Sequence, residues 1–543
     1  MRRSLHLFLV LIFASTYSLS QTVNFTSSNL PIVVINTGGQ VIPDDPKITA
    51  DMGIIYNGPG VTNFLTDPFN NYDGKVGIET RGHSSQIFPM KSYGFECRDN
   101  TGKSVDKSIL GMPKESDWVL YAPYSDKTLM RNVLAYQMSR DMGWWSAHTQ
   151  FVEVVLNGDY IGVYVMMEKI KRNSSRVNIG KMGTTDVSGD AVTGGYIISI
   201  DKDSDGWYSK FTNSGGQGGR TLYGFVYPKT ENIVLEQMEY IKSYVDSFEL
   251  AAGSPQFQDT VNGWRQFADA SAFMDYYLVN EVSRNIDAYR LSTYFYKDRK
   301  SKGGKLFAGP VWDYDLAFRN ADYCNGSDVA GWAYDFNAIC PGDYWGVPFY
   351  WGRIVRDTAF QAAMRCRYKA LRQTTLSYAY LEKMIDSAAT VLSEAQQRHF
   401  QRWPVLGQYV WPNPSPIPAS YAGEISSLKT WLQNRLRWID DNLANVGVCS
   451  DWPNDHPTTI EVSVYPNPIH NPANLYVRSK EKQTIHVIIT DITGKTMGAY
   501  QSQVEAGTNN LFQLPSGNWQ KGVYIIRVFN DKGEKVLKRM IKG

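Results

Sequence analysis

From about residue 30 to 230 the chain alternates apolar and polar residues in short runs. "LPIVVINT", "GKVGIETRG", "SYGFECR", "TQFVEVVLNGDYIGVYVMMEKI" and "GGYIISID" are rich in Val, Ile and Tyr and are separated by turn residues, which predicts β-strands. Within the fourth run, Asn157-Gly158 suits a tight turn with positive φ and predicts a hairpin. One helix interrupts the strands. "SDKTLMRNVLAYQMSRDMG" opens on a Ser/Asp cap, repeats its apolar residues at helical spacing and stops at Gly143. From about 230 to 450 the period changes. "ENIVLEQMEYIKSYVDSFELAA", "DASAFMDYYLVNEVSRN", "TAFQAAMRCRYKALRQ", "SYAYLEKMIDSAATVLSEAQQRH" and "EISSLKTWLQNRLRWIDDNLANVG" place apolar residues at i, i+3, i+4 and i+7 and predict helices. Between the second and third of these, "LSTYFYKD" and "KLFAGPVWDYD", joined by "RKSKGG", predict one embedded hairpin. After "CSDWPNDHPTT" the short alternating runs return over 459–543 and predict a small β-sandwich. The expected fold class is α+β.

The first 20 residues lie outside this pattern. Arg2 and Arg3 precede the apolar run "LHLFLVLIFA", and Ser18 and Ser20 supply small residues for cleavage before Gln21. That is the form of a secretory signal peptide, and its apolar run is too short to span a bilayer. No later run is long and apolar enough to be a transmembrane helix, so an exported, soluble mature protein is expected. Length and a 43% hydrophobic, 20% charged composition suit two to four packed domains. A formal charge of +2 lacks the basic excess that phosphate backbones require, which argues against nucleic acid as a partner. The five cysteines form no CxxC pair and the seven histidines no HExxH, which argues against zinc. Cys324 and Cys340 are the best disulfide candidates for an oxidising compartment, although spacing alone does not fix connectivity.

Charge enters the picture most sharply in "GPVWDYDLAF". Asp313 and Asp315 flank Tyr314 in what reads as a buried return strand, where alternation would put both carboxylates on one face. Two such groups repel unless a cation or a proton lies between them. Magnesium takes hard oxygen ligands, commonly one or two carboxylates plus phosphate oxygens. Upstream, Asp287 stands between a predicted helix and the hairpin. "RGHSS" places Arg81, a glycine, Ser84 and Ser85 in a turn between strands, where backbone N–H groups can approach phosphate.

Six collinear stretches resemble the CotH family, the spore-coat-type atypical kinases. They are "GIETRGHSSQIFPMKSYGFE", "SILGMPKESDWVLYAPYSDKTLMRN", "VLNGDYIGVYVMMEKI", "GGYIISID", "VNEVSRNIDAYRLSTYFYKD" and "GPVWDYDLAF". The resemblance implies a kinase-like domain over 21–450, with a β-rich lobe to about 230 and a helical lobe over 231–450. It implies metal-dependent transfer of the ATP γ-phosphate to Ser or Thr of a protein substrate, with Mg2+ or Mn2+. Asp287 would accept the hydroxyl proton. Asp313 would hold the metal, with Asp315 as a second ligand or an orienting group. Ser292 stands where the kinase pattern places a metal-binding asparagine, and its hydroxyl is the remaining donor there. Lys91 matches the phosphate-pairing lysine, Glu168 falls at the adenine-bearing edge, and Asp126 and Arg131 would reach the same cleft. A catalytically inactive surface or adhesion protein on the same scaffold is the alternative. A glycosidase reading lacks a distinct acid/base pair.

The last segment carries "VYPNP", "ITDITGK", "KGVYIIRV" and "KRMIKG" in order and resembles the C-terminal sorting domain of type IX secretion cargo. That resemblance implies a domain over 459–543 behind a linker at 451–458, recognition by the type IX secretion machinery, a secreted or cell-surface protein and a Bacteroidetes-type host. A carbohydrate-binding sandwich is the alternative.

Overall fold

The computed structural model describes residues 22–443, apart from 203 and 214–218, and residues 460–542, apart from 466–472, 480, 492–494, 507–508, 515 and 532–534. The expected signal peptide at 1–20 and linker at 451–458 lie outside the described residues. The chain falls into two compact units divided after Asn445.

Seven strands of the larger unit close into a barrel. They are β1 (Ile32–Asn36), β2 (Ile48–Ile55), β3 (Tyr72–Arg81), β4 (Ser92–Arg98), β5 (Asp117–Tyr121), β6 (Thr149–Leu156) and β7 (Asp159–Glu168). Their order is β1-β2-β3-β4-β5-β7-β6, and the one parallel pairing, Ile32 opposite Glu153, closes the ring. Closure leaves no unpaired strand edge. Alternation sends Val76, Ile78, Phe95, Trp118, Leu120, Tyr164 and Met166 into the barrel core. The outward residues fall into rows: Arg81 opposite Ser92, Glu79 opposite Gly94, Gly94 opposite Val119, and Val119 opposite Met167. The expected hairpin joins β6 to β7 through Asn157 and Gly158, with φ of 51° and 83°. Sequence alternation had not marked β2 and β5. "ITADMGII" opens on polar residues, and "DWVLY" is too short for a period to show.

A second sheet contains β8 (Tyr196–Ile200), β9 (Gly206–Thr212), β10 (Arg220–Tyr227), β11 (Thr293–Lys297) and β12 (Leu306–Ala308) in the order β9-β10-β8-β11-β12. The hairpin from the helical half therefore pairs with strands from the β-rich half, and the change of period near residue 230 is not a structural seam. "KLFAGPVWDYD" also differs from expectation. Its strand ends at Ala308, because Gly309 turns to a φ of 112° and Pro310 has no N–H for a ladder. Strand alternation therefore does not place Asp313 and Asp315. The longer helices of the unit are α1 (Arg131–Asp141), α2 (Leu235–Gly253), α3 (Ala270–Ser283), α4 (Phe349–Val355), α5 (Thr358–Arg372), α6 (Tyr378–Val391), α7 (Ala395–Arg402) and α8 (Tyr421–Asn442). The helix expected over 377–399 is divided at Leu392 into α6 and α7. Cys324 and Cys340 form a disulfide, while Cys97 is a free thiol buried in the barrel core.

The smaller unit is the expected sandwich. A three-stranded sheet and a four-stranded sheet share a core of Leu475, Val477, Ile485, Val487, Ile526, Val528 and Met540.

One buried acid makes the stability of the larger unit depend on pH. Glu249 of α2 accepts hydrogen bonds from Ser209 Oγ at 2.7 Å and Tyr223 Oη at 2.9 Å. Burial pushes its carboxyl up to about 7. The folded chain then holds this proton more tightly than the unfolded chain. The resulting stability is full below the ordinary glutamate range and is lost as pH rises through about 7. Glu249→Gln should reduce the loss of unfolding free energy between pH 5 and pH 8 by about 2 kcal/mol. Denaturant unfolding at the two pH values checks this, and an unchanged loss refutes it.

Candidate active site

Three strand ends bring the acidic groups together. β8 and β11 are antiparallel, with Ile200 opposite Thr293, so Asp201 at the exit of β8 meets Ser292 at the entry of β11. Ser292 Oγ donates to Asp201 Oδ2 at 3.2 Å. β12 runs antiparallel to β11 and leaves the sheet at the same end, where Gly309 N donates to Tyr294 O at 2.8 Å. The chain then continues to Asp313 and Asp315. Asp287 lies in the turn between α3 and β11. All four aspartates line one cavity of about 550 Å³, whose opposite wall is the outer face of the barrel with Arg81, Val119 and Met167.

The loop that carries Asp313 is clamped by its backbone. Asp313 has a φ of 63°, a left-handed conformation that a non-glycine residue adopts only where its surroundings compensate. Tyr136 Oη accepts from Asp313 N at 3.1 Å, and Asn132 Oδ1 accepts from Tyr314 N at 2.6 Å. Asn132 and Tyr136 are one turn apart on α1, so a single helix face holds two consecutive peptides. On the other side, the buried Tyr314 hydroxyl donates to Asn280 Oδ1 of α3 at 2.7 Å.

Asp287 is held by a cation. Arg290, almost fully buried, donates from Nη2 to Asp287 Oδ1 at 2.7 Å and from Nη1 to Asp343 Oδ1 at 3.2 Å. The same Nη1 donates to Trp345 O at 3.1 Å. The segment 340–345, which the Cys324–Cys340 disulfide anchors, is thereby tied to the Asp287 carboxylate.

Electrostatically the cavity is strained. The packed protein around Asp313 raises its proton affinity, with Asp287 and Asp201 adding to the rise and Arg81 opposing it. Burial and the Asp313 charge raise the proton affinity of Asp315 as well. The Tyr121 hydroxyl, buried beside this pair, has no hydrogen-bond partner among the described residues. Adjacent hard oxygen donors that repel each other, next to an unsatisfied hydroxyl, suit a cation. Among the described residues no three His, Cys, Asp or Glu groups are placed to hold a metal ion by themselves, so a cation here would rest on one or two carboxylates. An open donor set of this kind fits magnesium, which keeps water and phosphate oxygens in its coordination shell.

The cavity gathers Asp287, Asp313, Asp315, Ser292, Arg81, Ser84 and Ser85 from the sequence-predicted set. In the "RGHSS" turn Gly82 has a φ of 101°, and a Cβ there would lie 2.1 Å from Ser85 Oγ. Lys91 and Glu168 do not line the cavity. Lys91 Nζ donates to Gln86 O at 2.6 Å and braces that turn from behind. Glu168 is fully buried, with Oε2 2.8 Å from His148 Nδ1 and Oε1 3.5 Å from Arg176 Nε. Asp126 and Arg131 also stay out of the lining, because they form a buried ion pair with each other at the start of α1. Sequence reasoning missed Asp201, Asn132 and Arg290. Asp201 was legible as an acid ending an apolar strand run, whereas Asn132 and Arg290 read as ordinary helix and turn residues.

A family model described as CotH kinase protein matches residues 78–439. The chain belongs to the CotH family. The match covers every residue of the acidic cavity, so the four carboxylates lie inside the CotH domain. The model of the secretion system C-terminal sorting domain matches residues 463–542, the sandwich unit. That domain directs export through type IX secretion to the cell surface or beyond. No helix among the described residues is long and apolar enough to cross a membrane. No curated protein matches the chain.

Mutual repulsion between Asp313 and Asp315 generates a prediction. In chelator, Asp315→Asn should raise the unfolding free energy by about 1 kcal/mol, since the repulsion between two neighbouring carboxylates is removed. The same variant should lose divalent-cation stabilisation. A variant less stable than wild type in chelator would show that the pair is not under strain.

Proposed function

We propose that this CotH-family protein is an exported, metal-dependent protein kinase that transfers the γ-phosphate of ATP to Ser or Thr hydroxyls. In this reading the barrel and the helical part act as the two lobes of a kinase-like fold, with the cavity between them. The observation that carries it is the convergence of Asp201, Asp287, Asp313 and Asp315 at one end of a sheet, facing Arg81 and the "RGHSS" turn. Phosphoryl transfer needs phosphate charge neutralised, a cation held by carboxylates and a base at the acceptor oxygen, and it needs little else from a protein.

Asp313 and Asp315 would hold Mg2+ or Mn2+, with Asp201 and Ser292 beside them. The cation, when bound, would neutralise charge on the transferring phosphate. Arg81, Ser84 and Ser85 bind phosphate oxygens, and Val119 and Met167 offer the base an apolar wall. Lys91 and Glu168 serve this site from behind, by supporting the turn and the end of β7. Asp287, oriented by Arg290, takes the proton of the acceptor hydroxyl as its oxygen attacks the γ-phosphorus. The bond from the γ-phosphorus to the bridging oxygen breaks, and ADP leaves.

A second reading, a kinase-like surface protein without turnover, draws on Ser292, whose hydroxyl is engaged with Asp201 where the kinase pattern has an amide. The two readings part in one experiment. The full-length protein, with Mg2+ or Mn2+ and γ-labelled ATP, should label secreted proteins or itself. Asp287→Asn and Asp313→Ala should each reduce labelling by about 100- to 10,000-fold. Equal labelling by wild type and Asp313→Ala would refute the metal assignment. No labelling of any acceptor, with partner binding unchanged in Asp287→Asn, would support the scaffold.

A further inference from the structure

Strand β5 ends on a hydroxyl that phosphoryl transfer as set out above leaves idle. Alternation puts Tyr121 on the outer face of the barrel, two residues beyond Val119 and opposite Val165 of β7, where it lines the carboxylate cavity. Of the residues that line this cavity, Tyr121 alone has a buried polar side-chain atom without a hydrogen-bond partner among the described residues. Its neighbour Tyr136 differs, because that hydroxyl accepts from Asp313 N at 3.1 Å. A buried hydroxyl left without a partner costs free energy, and a site that keeps one is built for a partner not supplied by the protein.

The surroundings of Tyr121 limit what that partner is. The charges that act on it most are Asp315, Asp126 and Asp313, in that order, and with burial they keep the phenol protonated. Asp126 already has its donors, since it accepts from Thr128 Oγ1 at 2.6 Å and from Arg131 N at 2.8 Å and pairs with the Arg131 guanidinium. That leaves the pair at 313 and 315. Arg81, on the phosphate side, acts on Tyr136 and Tyr294 but is not among the main influences on Tyr121. The hydroxyl thus belongs to the carboxylate end of the cavity. A phenol beside two carboxylates that bonds neither leaves a place for an intervening oxygen. Magnesium held by such a pair brings one, because it keeps several waters in its shell. We infer that Tyr121 is a positioning residue for the divalent cation at Asp313 and Asp315, its hydroxyl hydrogen-bonding a water that the cation carries. Partners of this kind fix the coordination shell, and their loss lowers metal affinity. The inference rests on the cation-binding half of the phosphotransferase reading and not on turnover.

Calorimetric titration of the full chain with Mn2+ tests it, and the heat that Asp313→Ala abolishes defines the site. Tyr121→Phe keeps the ring and removes only the oxygen. Its Mn2+ affinity at that site should fall by about tenfold or more. In chelator the same variant should have a thermal midpoint no lower than that of wild type, because no hydrogen bond to protein is lost. Tyr136→Phe supplies the contrast: it strips Asp313 N of its acceptor, so its midpoint in chelator should drop. Equal Mn2+ affinity in wild type and Tyr121→Phe overturns the inference. So does a lower midpoint of Tyr121→Phe in chelator, or a wild type without Asp313-dependent Mn2+ binding. The labelling assay with γ-labelled ATP separates this from the kinase reading. If Mn2+ binding depends on Tyr121 and no acceptor is labelled, the inference stands and the kinase reading falls. If acceptors are labelled while Tyr121→Phe binds Mn2+ as wild type does, the kinase reading stands and the inference falls.

Discussion

Carboxylates placed side by side in a protected cavity repel, and the structure around this site is organised to keep them there. A chain free to relax would rotate Asp315 away from Asp313 or open the loop to water. Neither escape is available. The loop enters from β12 and is stitched to α1 through two successive backbone hydrogen bonds. It leaves through Asp315, whose carbonyl accepts from Asn320 Nδ2 at 2.8 Å. The left-handed conformation of Asp313 is a consequence of that clamp. Local conformational strain and charge repulsion of this kind persist only where surrounding packing over-determines them, and they concentrate at working sites.

Charge is arranged with a direction along the cavity. At one end the sheet delivers acids, since three strand ends terminate within reach of each other. Along the facing wall the barrel presents Arg81 beside the apolar Val119 and Met167. A ligand with both a metal-binding and a polyanionic part matches that gradient better than a neutral one. Arg290 fits the same logic, because it is almost buried yet compensated by Asp287 and Asp343, so it orients an acid without adding positive charge at the cavity surface.

What the sequence made legible follows the range of each physical signal. Periodicity is local, so it marked the β6–β7 hairpin, the long helices and the sandwich. It missed β5, whose five residues are too few for a period, and it did not separate α6 from α7 across the three-residue break Leu392–Glu394. The barrel was not legible, because closure depends on a parallel pairing between segments 121 residues apart, Ile32 with Glu153. At the site, Asp287, Asp313 and Asp315 stood out as acids in apolar surroundings. The reason given for the last two was wrong in detail: Pro310 ends the strand, and a helix clamp rather than strand alternation gathers them. Asn132 and Tyr136 carry that clamp and look like ordinary amphipathic-helix residues, so only tertiary structure reveals their task.

Ser292 is where the chain departs furthest from a kinase pattern, and its geometry shows how the departure can be absorbed. A serine hydroxyl is a weaker and shorter donor than an asparagine amide, and here it hydrogen-bonds Asp201. Burial and the nearby Asp287 charge raise the proton affinity of the Asp201 carboxyl, so it too is a poorly solvated oxygen donor beside the pair at 313 and 315. Exchanging a neutral amide for a serine that orients a carboxylate would make the local donor set more negative. Such a set binds a hard divalent cation more strongly but leaves less positive charge free to offset phosphate. The shortfall must then be met from the opposite wall, where Arg81 is free of ion pairs among the described residues.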